Sequence, residues 1–234
     1  MESLEAELAR ARDLDTGELA DAIETIGFEC TRCGACCTRE DDDPHTATVF
    51  PEEVRELQKV AENGSQDSEA GSSFRSQGSR EWVDVARPMP YGLDEGEGQT
   101  FEWALQTDSC GDCVFYEDNE GTGACSVHSD RPLICRTYPF SVALAGTSQP
   151  MGEAVDESGV VRAHECEGLG REISREDAEK LAQALKERAV CELEEAIGVR
   201  ENYRPVDERT VVYDSEGPKR ADGHPIGEET RSRS

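Results

Sequence analysis

Four thiols within eight residues, Cys30-Thr-Arg-Cys33-Gly-Ala-Cys36-Cys37, constrain this chain more than any other feature. Two-residue spacers let a tight loop turn successive sulfurs toward one metal. Gly34 can take the left-handed conformation that such a loop often needs. Free buried thiols act as small apolar residues, but packing alone does not call for this density. Adjacent side chains in an extended segment point to opposite faces. One local site holding all four sulfurs is therefore awkward. Either two sites share the motif, or Cys36 and Cys37 divide their duties.

Six further cysteines follow at 110, 113, 125, 135, 166 and 191. They include Cys110-Gly-Asp-Cys113-Val-Phe115, Cys125-Ser-Val-His128 and Cys166 in HECEG. They also include Arg131-Pro132-Leu-Ile-Cys135-Arg136-Thr-Tyr138-Pro139-Phe140. Cys30, Cys33 and Cys36 match the start of an iron–sulfur C-x2-C-x2-C run, but Glu40 replaces the cysteine that would complete it. The opening MESLEAELAR is acidic and has no apolar stretch, so no export signal is expected. A reducing cytoplasm is then the expected compartment, where clustered cysteines bind metal or catalyse rather than form disulfides. No Ser/His/Asp arrangement is readable, no acidic pair stands out as a catalytic dyad, and the catalytic residues are unassigned.

The charge narrows the partners. Against 24 Lys+Arg stand 52 Asp+Glu, a net −28. This excludes binding through nucleic-acid phosphates or an anionic membrane as an expected function. Only Lys59, Lys180, Lys186 and Lys219 are lysines. Acidic, arginine-biased chains of this kind suit a high-salt cytoplasm, where repulsion is screened to about 3 Å at 1 M salt. No apolar run approaches the ~18 residues of a membrane span.

Apolar periodicity predicts helices over 2–12, over 16–26 with Thr16 as cap, and from Pro51. Ser174 and Asp177 open a longer helix over 174–197, which Gly198 is expected to end. Alternation predicts strands over 81–86 and 100–106, joined by PMPYGLDEGEG, and a second pair over 140–145 and 159–164. A Ser/Gly/Gln-rich insert spans 63–80. The expected organisation is N-terminal helices 1–26, a cysteine domain 27–170, a helix 171–200 packing on it, and a disordered acidic tail 201–234. The expected fold class is α+β: a small, helix-rich, metal-stabilised domain with irregular cysteine-bearing loops and a few short strands.

These motifs resemble the YkgJ-type cysteine-cluster family, the CxxCxxCC zinc- or iron-chelating proteins. Phe28 to Cys37 matches the family opening, and Cys113 with Phe115 the next piece. Gly123, Cys125, Val127 and His128 follow, then Arg131, Pro132, Cys135, Arg136, Tyr138, Pro139 and Phe140, and Cys166 fits the late cysteine. The resemblance implies eight metal ligands: Cys30, Cys33, Cys36, Cys37, Cys113, Cys125, Cys135 and Cys166. Cys110 and Cys191 fall outside it. A flagellin lysine methylase shares the pattern, which admits a methyl-transfer or maturation accessory role. No G-x-G-x-x-G loop marks a nucleotide-binding unit here.

Eight thiolates suit two four-cysteine sites, or one cluster with four cysteines left over. Arg131 and Arg136 can offset sulfur charge, and Tyr138 with its neighbours can exclude water. His128, His45 and His164 are weaker ligand candidates, the last because it lies two residues from Cys166. The expected cofactor is an Fe–S cluster, of 4Fe-4S type, in an electron-transfer or supporting role with a protein redox partner. The alternative is Zn2+ in a structural interaction module.

Overall fold

The computed structural model describes residues 3–39, 44–63, 80–119, 122–149, 154–156 and 159–227. Two helices open the chain, α1 (Leu4–Asp13) and α2 (Thr16–Ile26). Ser3 caps the first by accepting from the Ala6 N–H, and Asp15 caps the second by accepting from the Gly17 and Glu18 N–H groups. The cap of α2 is thus Asp15 rather than Thr16, because its carboxylate reaches two otherwise unpaired donors of the first turn.

Next come β1 (Thr48–Val49) and α3 (Pro51–Asn63). Four strands follow: β2 (Ala86–Pro88), β3 (Leu93–Asp94), β4 (Glu97–Thr100) and β5 (Trp103–Leu105). Residues 82–84 form a 3-10 turn instead of the strand expected there. The strand pair itself exists slightly later, with Ala86 opposite Leu105, and its connection folds into the β3–β4 hairpin. The insert expected over 63–80 falls almost wholly outside the described residues.

The cysteine-bearing middle contains β6 (Tyr116–Asn119), β7 (Thr122–Cys125) and the short α4 (Leu133–Thr137). Then come β8 (Phe140–Val142), β9 (Ala154–Asp156) and β10 (Val161–His164). The expected pairing of the 140s with the 160s is present, with Val142 opposite Val161. The chain ends with α5 (Arg175–Asn202), β11 (Thr210–Asp214) and β12 (Gly217–Lys219). This is a mixed α+β arrangement. Among the described residues no helix is long and apolar enough to cross a membrane.

Ser174 caps α5 as expected: its Oγ accepts from the Asp177 N–H and donates to the Asp177 carboxylate. Gly198 does not end the helix but lies inside it. A Cβ there would meet the Ser215 Cβ at 2.6 Å, so this glycine answers to the close approach of the β11–β12 turn. The tail is the larger correction. Instead of disorder from 201 onward, β11 adds in parallel to β4, with Thr210 opposite Gly98. Val211, Val212 and Tyr213 are fully buried. Asp214 accepts from Trp103 Nε1 at 2.8 Å and pairs with Lys219 at 2.8 Å. Three apolar residues are too few to show a period, and only pairing with a strand more than 100 residues away orders them. Residues 228–234 lie outside the described residues.

Among the described residues two large apolar cores result, beside a small third cluster of Val211, Tyr213 and Ile226. The first packs α1, α2 and α5 against the β8–β10–β9 sheet, through Leu19, Ile23, Phe140, Leu185 and Leu193. The second packs α3 against the β1–β5–β2 sheet and takes in Trp103, Phe115 and Cys113. The cysteine segments link them.

Candidate metal centre

The first cysteine loop is stitched by its backbone to three other cysteine segments. Glu29 donates to Gly168 O at 3.0 Å, beside Cys166. Gly123 of β7, two residues before Cys125, donates to Arg32 O at 2.8 Å. Cys113 donates to Cys37 O at 2.9 Å. Phe28 anchors the entry to the loop by packing edge-on against Phe140 at 5.7 Å.

Gly34 makes the turn. Its φ is +81°, and a Cβ would lie 2.5 Å from the Tyr116 hydroxyl. Both the conformation and the contact require glycine. The Gly34 carbonyl then accepts from the Cys37 and Thr38 N–H groups at 2.7 and 3.1 Å. This turn places the Cys36 and Cys37 sulfurs 3.8 Å apart. The opposed faces expected of neighbouring thiols belong to extended chain, and here the chain is coiled.

The eight thiols fall into two environments. Cys37, Cys113, Cys125 and Cys135 pack with the second apolar core. Cys30, Cys33 and Cys36 are exposed, and Cys166 is partly buried. Cys166 is influenced by Cys33, Cys36 and Cys30, whereas Cys135 is influenced by Cys113, Cys36 and Cys125. Cys36 stands between the groups. Among the described residues, no three His, Cys, Asp or Glu side chains close into a sphere able to hold a metal ion.

Burial pushes the Cys113 thiol up to about 11, with Cys125 and Cys36 adding to the effect. The Cys135 thiol is driven up by burial and by the same neighbours, and Cys125 is raised by burial. Cys36 is raised first by its hydrogen bond with Cys37. Cys166 is raised by burial, partly offset by the Gly168 N–H, which donates to its sulfur at 3.4 Å. Thiols held neutral in this way would lose their protons to solvent on binding a metal cation.

The other expected residues separate. Arg131 is close enough for its charge to favour the thiolate forms of Cys36, Cys125 and Cys135. Arg136 is exposed and acts on Glu53. Tyr138 is partly buried, donates to Glu165 O at 2.6 Å and is pushed up to about 12 by burial and then by Cys166. Its peptide bond to Pro139 is cis. His128 is exposed, and its carbonyl accepts from Arg131 Nε. His164 turns to Ser141, 3.1 Å from its Oγ, rather than to Cys166. His45 is buried with Nε2 3.1 Å from Cys36 O, and burial keeps its imidazole below the ordinary range. Cys110 is exposed in a loop where its N–H donates to Asp108. Cys191 lies on α5 among Glu187, Glu194, Glu53 and Glu192, and burial pushes it up to about 11.

Two supports escape sequence reading. Glu53 of α3 accepts from Leu133 N–H at 2.7 Å, bracing the start of the helix that carries Cys135. Arg188 of α5 donates to Thr137 Oγ1 at 3.1 Å, bracing its end. Neither position carries a spacing signal, because each acts across about 50 to 80 residues.

Fold and thiols together define a cysteine-cluster protein in which the first cysteine loop is bonded through its backbone to the segments of Cys113, Cys125 and Cys166. The chain belongs to the CxxCxxCC family, described as "Putative zinc- or iron-chelating domain", whose match covers residues 29–167. That span includes all eight cysteines of the two groups and leaves out Cys191. No curated protein and no solved structure matches the chain.

Proposed function

We propose that the chain is an iron–sulfur protein of the YkgJ type with two sulfur sites of different duty. The observation that carries this reading is that Cys37, Cys113, Cys125 and Cys135 pack with the second apolar core while Cys30, Cys33 and Cys36 stand exposed. Thiolates are soft ligands suited to iron or zinc, so the donor set fits either metal that the family description names. Cys30, Cys33, Cys36 and Cys166 would hold the Fe–S cluster at the accessible face. When bound, such a group supplies one-electron redox chemistry. The Gly168 N–H donating to Cys166, Arg131 and the half-buried Tyr138 then set the polarity and water access that tune potential. Accessibility on this side suits exchange with a protein redox partner.

Cys37, Cys113, Cys125 and Cys135 would hold a closed structural metal, zinc or a second cluster, that supports the second core. Packing against Phe115 and Val127 favours this structural duty. A cytoplasmic, high-salt setting accounts for the net −28.

The test is anaerobic purification in high salt, with iron, sulfide and zinc counted per chain beside the visible spectrum. About four iron and four sulfide, with broad absorbance that bleaches on reduction, are expected for one 4Fe-4S cluster. Cys166→Ala should remove iron and colour, and Cys135→Ala should remove the second metal. A colourless chain carrying zinc alone would overturn the iron–sulfur reading.

A further inference from the structure

A groove of about 450 Å³ opens between the first cysteine loop, the 131–136 segment and the start of α5. Its volume lies within the ~300–1,000 Å³ usual for small-molecule sites. The walls carry charges of both signs that do not reach each other. Arg131 and Arg136 come from one segment, Glu29 and Glu172 from two others. Among the described residues, Arg136, Glu29 and Glu172 make no ion pair or side-chain hydrogen bond, and Arg131 spends only its Nε, on the His128 carbonyl. Asp177 and Lys180, also in the wall, already pair at 3.3 Å.

Several other exposed arginines of this molecule are held by carboxylates. Carboxylates outnumber basic residues by more than two to one. Elsewhere Arg12 pairs with Glu194, Arg200 with Glu5 and Arg220 with Glu208, while Arg175 holds Asp21, Glu24 and Glu179. Guanidinium groups match carboxylate geometry better than any other side chain. Between the charged walls lie Phe28, Ile173, Leu181 and Ala184, which give the groove an apolar floor.

We propose that this groove binds a free α-amino acid with an apolar side chain. Arg131 and Arg136 take its carboxylate, Glu29 and Glu172 its ammonium group, and the apolar floor its side chain. A ligand with only one charge would leave either the arginines or the carboxylates unmatched. Cys30 lies in the same wall, so the amino acid would sit beside the accessible thiols. The proposal does not depend on whether those thiols hold iron or zinc.

The test is calorimetric or saturation-transfer NMR titration of the purified, metal-loaded chain with L-phenylalanine. Metal content is measured for every sample, so loss of the metal reading and loss of this one are separately visible. Saturable binding with Kd below about 10 mM is expected. N-acetyl-phenylalanine lacks the ammonium group and phenylalaninamide lacks the carboxylate. Each should bind at least about tenfold more weakly, as a lost charged contact of about 1.5–3 kcal/mol implies. Arg136→Gln should weaken phenylalanine by a similar factor, and Glu172→Gln, on a different wall, provides an independent variant. Absence of saturable binding would overturn the proposal. So would equal binding of either analogue, or unchanged affinity in a folded variant.

Discussion

Removing the Arg188 side chain should cost more stability than removing any other charged group on α5. Its guanidinium is 3% exposed and faces a Glu192 carboxylate that is 8% exposed, with Nε 2.9 Å from Oε1. It also donates to Thr137 Oγ1 and Phe140 O at 3.1 Å and to Ser148 O at 2.7 Å. Arg188→Ala strands the carboxylate and two carbonyls away from water. Breaking a buried pair in this way costs about 3–5 kcal/mol, because the remaining charge keeps its desolvation penalty. At about 2–4 °C per kcal/mol for a chain of this size, the midpoint should fall by about 6–20 °C. Arg188→Lys should recover less than half, since one ammonium cannot reproduce the fork geometry. Arg188→Met with Glu192→Leu should lose less than Arg188→Ala, as no charge is then stranded. The assay is thermal or denaturant unfolding in constant high salt, with metal counted per chain. Metal should fall too, because Thr137 ends the helix that carries Cys135. A loss below about 1 kcal/mol would refute the reasoning, since that is what an exposed pair contributes.

Gly34→Ala forces a side chain onto φ +81° and into the Tyr116 hydroxyl. Conformation alone should cost about 1–2 kcal/mol, and metal content should drop, with partial rescue by Tyr116→Ala. Glu53→Ala should free the Leu133 and Phe50 N–H groups and lower stability by about 1–3 kcal/mol; full stability with full metal content would show that α4 needs no brace. Burial raises Glu192, Glu195 and Glu102 above the ordinary 4.5. The folded state therefore holds protons that the unfolded state releases, and stability should fall as pH rises from 4.5 through the folded values. The melting midpoint in high salt should accordingly rise between pH 8 and pH 5. Below about pH 4 the trend should reverse, as exposed groups held low, such as Glu5 and Asp177, lose their partners. Dilution from molar salt to low ionic strength should melt the chain, given its net −28; unchanged circular dichroism would remove the high-salt reading.

Local features were readable in the sequence because their causes are local. Ser174 and Asp177 announce the start of α5, and apolar spacing announces α1, α2 and α3. Alternation announces the β8–β10 pair. Gly198 misleads because a glycine that ends a helix and a glycine that admits a neighbouring turn look alike in one dimension. The tail misleads because its burial comes from β4, far away in the chain. Arg136 and His164 lie close in sequence to expected ligands, yet one acts on Glu53 and the other bonds to Ser141.

The sequence by itself determined which atoms are available for chemistry: ten thiols, eight of them in a family spacing, in a chain too acidic for phosphate partners. Spacing and composition express that inventory directly. Only the tertiary structure decided how these eight thiols are distributed: Cys30, Cys33 and Cys36 in the open, Cys166 partly buried, and Cys37, Cys113, Cys125 and Cys135 against an apolar core, with Cys36 beside Cys37. It also decided that Arg131 and Arg136 share a groove with Cys30. Burial and charge pairing depend on segments far apart in the chain meeting, and no local pattern of residues records those meetings.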